Sequence, residues 1–176
     1  MDLQHLRCIA AYGLAIALGS LVCAAPMVPR PIVADDSVGT LAKLKALNVM
    51  VRKLPEELRA RGVTVDSVSS QMKRGVRDLG LGLSDDERAP SVECRIMTVA
   101  DPTAPGPVAY TVTLLLRQPI KVKRLDREFF APTYVMSSVG LEQPEKLADD
   151  VAHTLDDTLR KLIRRIDQAS RAWEGS

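Results

Sequence analysis

His153 is the only histidine beyond the first 24 residues, with Asp149 four positions before it and Asp157 four positions after. On a helix, residues spaced i, i+4, i+8 share one stripe. Carboxylate and imidazole both ligate divalent metals, so Asp149, His153 and Asp157 offer a metal site for assisted hydrolysis. Position weighs against it. His153 lies two residues from Val151, about 200° around a helix at 100° per residue, and so faces away from the apolar stripe. No second cluster of His or Cys is present to complete the site. A solvated face is the simpler reading, and no metal is expected.

The other reactive residue types point the same way. Cys94 alternates in step with Val92 and Ile96. A thiol among such neighbours is a small hydrophobe with a raised pKa rather than a nucleophile. Asp85-Asp86-Glu87 lacks the spaced ligands and turn glycine of a calcium loop. Ser137-Ser138 and Gly140 form no nucleophile elbow, and no inward histidine stands by to activate a serine. Gly80-Leu81-Gly82 lacks the third glycine of a dinucleotide fingerprint, and there is no phosphate-binding loop, paired-cysteine or paired-histidine pattern. The chain is therefore expected to be non-catalytic and to need no cofactor.

One constellation of charge stands out. In the strands described below, Arg52, Arg95, Arg117, Lys121 and Lys123 share the outward parity, with Glu93 among them. Such a strip could meet anionic lipid, glycan or an acidic protein surface. An ordinary solvated sheet face, with lysines guarding an edge, is the bland reading. Phe129-Phe130 is a second candidate surface near a turn, with core filling the simpler expectation.

These residues need elements to hold them. Leu47, Val49 and Val51 alternate with Asn48, Met50 and Arg52, as in a half-buried strand, and Val92, Cys94 and Ile96 do the same. From Val108 to Val122 the even positions are apolar except Gln118, so one face is buried along the whole length. Pro119 marks an edge or a local break. A short strand is expected at Leu81–Leu83 and a last one within Phe130–Val139, whose inward face the mixed pattern leaves open. Thr64 is a plausible N-cap for a helix to about Leu79, with Val65, Val68, Met72, Val76 and Leu79 on one face and Gly80 as its left-handed stop. Gly75, beside that face, suggests close packing on the sheet.

The closing helix follows Pro144. Leu147, Val151, Leu155, Leu159, Ile163 and Ile166 form its stripe. Acidic residues fill its first half and basic residues its last, which complements the helix dipole without any need for function. The expected fold is α+β: a two-layer sandwich in which two amphipathic helices cover one face of a mixed or antiparallel sheet of about four to five strands.

The first 43 residues differ from the rest. Cys8 to Ala25 holds no charged residue, Arg7 precedes it, and Val22-Cys23-Ala24 offers a cleavage site, the layout of a secretory signal spanning 1–24. Two alternatives are a retained membrane anchor over 8–25 and lipidation at Cys23. Three prolines between Ala25 and Pro31 make 25–43 a linker. Residues 44–172 are then one domain and 173–176 a tail. Cys94 alone in the mature chain cannot close an internal disulfide. A formal net charge of +2 over 176 residues, with few aromatics to stack bases, argues against nucleic acid as a partner.

The stretch from Leu54 to Thr64 (LPEELRARGVT), the strand Tyr110–Pro119 (YTVTLLLRQP) and the closing helix resemble a family of exported bacterial proteins of unassigned role. The element order is similar to small periplasmic α/β modules that assist envelope assemblies. That resemblance implies a periplasmic or extracellular protein-binding accessory module, its partner an envelope protein or an anionic surface. Membrane contact would follow only if the signal is retained or Cys23 is lipidated.

Overall fold

The period-two runs form a five-stranded sheet in the order β2-β1-β3-β4-β5. The computed structural model describes residues 39–101, 103 and 106–174. The signal, anchor and Cys23 readings lie outside them, as does most of the segment read as linker. Strand β1 (Ala46–Val51) runs parallel to β2 (Gly82–Leu83) on one side and to β3 (Ser91–Val99) on the other. β4 (Val108–Val122) pairs antiparallel with β3 and with β5 (Arg127–Glu142). The fold is thus α+β with an open mixed sheet, as the sequence predicts.

Among the described residues three α-helices complete it: the short α1 (Glu56–Arg59), α2 (Val65–Asp78) and α3 (Leu147–Glu174). Thr64 caps α2 reciprocally. Its hydroxyl accepts the Ser67 N–H at 3.0 Å, and the Ser67 hydroxyl accepts the Thr64 N–H at 3.1 Å. Two otherwise orphaned donors are satisfied in this way. Gly80 follows the helix with φ +86°, the left-handed conformation that glycine adopts without a Cβ penalty. Val68, Met72 and Val76 face inward, whereas Val65 and Leu79, at the two ends of the expected stripe, remain exposed.

Leu155, Leu159, Leu162 and Ile163 of α3 meet Leu47, Cys94, Leu114 and Leu116 of the sheet in one core. The turn before β1 joins this core, because Leu41 is fully buried. Gly75 serves a different contact from the one expected. A Cβ there would lie 2.6 Å from Leu159 Cδ2, so the close approach is between α2 and α3 and not between α2 and the sheet. Beside it, Gln71 donates from Nε2 to the Ala152 carbonyl and to Asp156 Oδ1, both at 2.8 Å.

The far strand is longer than its sequence suggests. β5 spans sixteen residues, and Tyr134, Met136 and Ser138 take its inward side. The Ser138 hydroxyl meets Thr158 Oγ1 at 2.8 Å, and Thr158 donates to the Thr154 carbonyl at 2.7 Å, so α3 is tied to β5 by a buried polar contact. Opposite Gly140 in the register stands Tyr110, whose ring fills the space a side chain at 140 would need. Its hydroxyl donates to Asp150 and lies 2.8 Å from Thr154 Oγ1.

At its other end the β4–β5 hairpin runs past the helices. β3 pairs no further along β4 than Arg117, so Pro119 lies where β4 has a neighbour on one side only and its missing N–H breaks no second ladder. Thr133 is an extra residue between the pairs Leu116–Tyr134 and Arg117–Pro132. Beyond this bulge Ile120, Phe129 and Phe130 are each more than a third exposed, which corrects the expectation that the two phenylalanines fill the core.

Candidate binding surface

Both long helices lie on one face of the sheet, and the register fixes what stands on the other. Moving along the strands, the outward side chains form rows: Met50 beside Glu93 beside Leu115 beside Val135, then Arg95 beside Thr113 beside Ser137. Next come Met97, Thr111 and Val139, and finally Val99, Ala109 and Leu141. Arg52 lies one residue past the end of β1 on the same side as Met50, and Arg117 pairs with Ser91 one row below Glu93.

Glu93 organises the cationic part. It has no exposed surface. Arg52 donates to it through Nε and Nη2, at 2.9 and 3.0 Å, one nitrogen to each carboxylate oxygen. This two-pronged match suits the planar guanidinium. Arg95 adds its Nε at 2.6 Å and Arg117 its Nη1 at 3.3 Å. The Arg52 hydrogen bond is the largest influence on the carboxyl group. With Arg95 it outweighs the cost of burial and holds the pKa down to about 2, against 4.5 for an ordinary glutamate. The arginines keep solvent contact. Their side chains are 52%, 50% and 27% exposed at Arg52, Arg95 and Arg117 respectively.

Of the five outward cations expected on this face, the structure therefore gathers Arg52, Arg95 and Arg117 and leaves Lys121 and Lys123 apart. Lys121 sits on the overhanging hairpin and pairs with Asp126 at 2.7 Å. Lys123 opens the 3-10 turn Lys123–Leu125. Alternation placed Arg52, Arg95 and Arg117 on one side of the sheet, but it carried no information on distance along the strands, and Lys123 lies beyond the end of β4. The end of the face beyond Arg95 has no counterpart in the sequence reading. Met97, Val99, Val139 and Leu141 are 63%, 72%, 78% and 64% exposed. Met97 alternates with buried Ile96, whereas the neighbours of Val99, Val139 and Leu141 are at most half-buried, so alternation gave those three no clear signal.

The helix stripe does not close into a ligand set. His153 Nε2 and Asp157 Oδ2 are 3.7 Å apart, with both side chains largely exposed. Among the described residues no group of three or more His, Cys, Asp or Glu side chains is arranged to hold a metal ion. Cys94 is buried on the inward face of β3, and loss of solvent pushes its thiol up to about 12. A cleft between α2 and α3 is lined by Arg74, Asp78, Asp156 and Arg160, charges of both signs in alternation. Among the described residues no helix is long and apolar enough to cross a membrane.

No protein family and no curated protein is matched by this chain. Solved structures with a similar course include a minor lipoprotein from Acinetobacter baumannii. It is 15% identical with a TM-score of 0.37, and the match covers 71% of this chain and 92% of that one. A dodecamer of a PelC variant from Paraburkholderia phytofirmans is 13% identical with a TM-score of 0.38, over 70% and 86% of the two chains.

Proposed function

We propose that this chain is an exported, non-catalytic accessory module of the bacterial cell envelope that acts by binding, and that its contact surface is the helix-free face of the sheet. The observation that carries this reading is the composition of that face. A sheet covered on one side ordinarily shows polar residues to water on the other. Here four aliphatic side chains in adjacent rows, Met97, Val99, Val139 and Leu141, stand mostly exposed beside three half-exposed or part-exposed arginines. Contiguous apolar surface with a polar rim marks an interaction site more often than a solvated wall. Methionine and arginine are also among the residues enriched where proteins meet.

Export rests on the signal-like layout of residues 1–24. A binding role agrees with the placement of the reactive types, since Cys94 is sealed in the core and His153 stands on an open helix face. The test is a photo-crosslinking side chain placed at Val139, with the same group at exposed Lys161 on α3 as the control, in cells that make the protein. A discrete adduct from position 139 alone, lost when Leu141→Asp is added, is the expected result. Equal labelling from both positions, or none from 139, refutes the assignment of this face.

A further inference from the structure

One arginine is enough to neutralise Glu93. The structure supplies three, all outward-facing and all within hydrogen-bonding reach of the same carboxylate. Three guanidiniums on one carboxylate leave an excess of two positive charges at a single point of the open face. The second and third cations repel each other and the first, a cost that neutralising one carboxylate does not require. Their geometry is fixed from below. Arg52 is held by two bonds, Arg95 through Nε, and Arg117 also reaches the Phe130 carbonyl at 3.4 Å.

Each guanidinium carries five N–H donors. Among the described residues, Arg52 Nη1 and both terminal nitrogens of Arg95 have no hydrogen-bond acceptor, and these two side chains are half exposed. Free donors are thus offered by Arg52, which directly follows β1, and by Arg95 on the adjacent β3. Glu93 itself is shielded, with both oxygens already occupied, so an incoming anion meets the arginines and not the carboxylate.

We propose that Arg52, Arg95 and Arg117, seated on Glu93, form a binding site for a phosphate group, carried either by a free phosphate ester or by a lipid headgroup. The proposal rests on the helix-free face being the contact surface and names the chemistry recognised there. Guanidinium forks match phosphate oxygens in pairs. A phosphate monoester dianion also balances the excess charge. Lys121 and Lys123 lie outside the site, Lys121 being engaged by Asp126.

The test is calorimetric titration of the whole protein with inorganic phosphate and with glycerol phosphate. Alongside it, co-sedimentation is measured with vesicles of phosphatidylglycerol and of phosphatidylcholine. Saturable phosphate binding is expected, weakened about tenfold or more in Arg52→Gln and Arg95→Gln and unchanged in Lys121→Gln. Binding should also fall as salt is raised through the range where exposed charges are screened. Sedimentation with phosphatidylglycerol, competed by glycerol phosphate, assigns the group to a headgroup. Titration by glycerol phosphate without sedimentation assigns it to a free ester. Both outcomes support the site. No titration and no preference for phosphatidylglycerol overturn it, as does binding that survives in Arg52→Gln and Arg95→Gln alike. A crosslink from position 139 that persists without phosphate binding would reject this site while leaving the contact face in place.

Discussion

Arg52, the residue directly after β1, and Glu93 on β3 meet through two parallel hydrogen bonds, so the parallel strand pair is joined by side chains on its open face as well as by its backbone ladder. Because Glu93 is buried and held near a pKa of about 2, this contact makes stability depend on pH. The folded pKa lies below the unfolded one. The contribution is therefore complete above the ordinary glutamate value of 4.5 and disappears as pH falls toward about 2. Glu93→Gln should lower stability by about 1.5–3 kcal/mol at neutral pH, the range for hydrogen bonds to charged groups. The gap between the two proteins should narrow below pH 4.5. Thermal melts from neutral pH to pH 2 check it; a gap that stays constant across the window rules out Glu93 as the responsible group.

Gly140 is required by Tyr110. Any Cβ at 140 enters the tyrosine ring, while the hydroxyl of that ring is tied to α3 at Asp150 and Thr154. Gly140→Ala should cost about 1–3 kcal/mol by overpacking. The cost should shrink when Tyr110→Leu removes the ring, and a double-mutant cycle in denaturant reads the coupling directly. Additive effects would mean that Tyr110 is not what Gly140 makes room for.

Cys94 should be silent in the folded protein. Its thiol is buried and pushed up to about 12, and the thiolate is the reactive form. A disulfide reagent at pH 8 should label it only after unfolding, at the rate at which the core opens. Rapid labelling of the native protein would contradict an inert core thiol.

The Asp149–His153–Asp157 stripe should behave as solvated surface. Zinc, manganese or magnesium should leave the melting temperature unchanged. The triple change Asp149→Asn, His153→Ala and Asp157→Asn should alter stability only slightly, as exposed helix pairs do. A metal-dependent rise in melting temperature that the triple variant abolishes would restore the hydrolase reading.

Much of the scaffold was legible because burial imposes a period. Val92, Cys94 and Ile96 repeat every second residue and Leu147 to Ile166 every third or fourth, and these are the residues that line the core. β5 was harder to read for a physical reason. Its outward residues Val135, Val139 and Leu141 are as apolar as its inward Tyr134 and Met136, so alternation could not choose a side. Phe129 and Phe130 were misplaced because hydrophobicity predicts burial only where a second layer exists, and the hairpin outruns the helices there.

The sequence by itself determined which side of β1, β3 and most of β4 faces oil, where α2 starts and stops, and that Arg52, Arg95 and Arg117 point to the opposite side. Those are properties of neighbours a few bonds apart, set by steric and solvation preferences of the local chain. Only the tertiary structure decided that three of the five cations meet on one carboxylate. That outcome depends on the parallel register of β1 with β3, on the antiparallel register of β3 with β4, and on how far the β4–β5 hairpin extends past its neighbours. Register sums contacts over residues more than forty positions apart, as between Arg52 and Glu93, and a period read along one strand carries no information about its offset from the next.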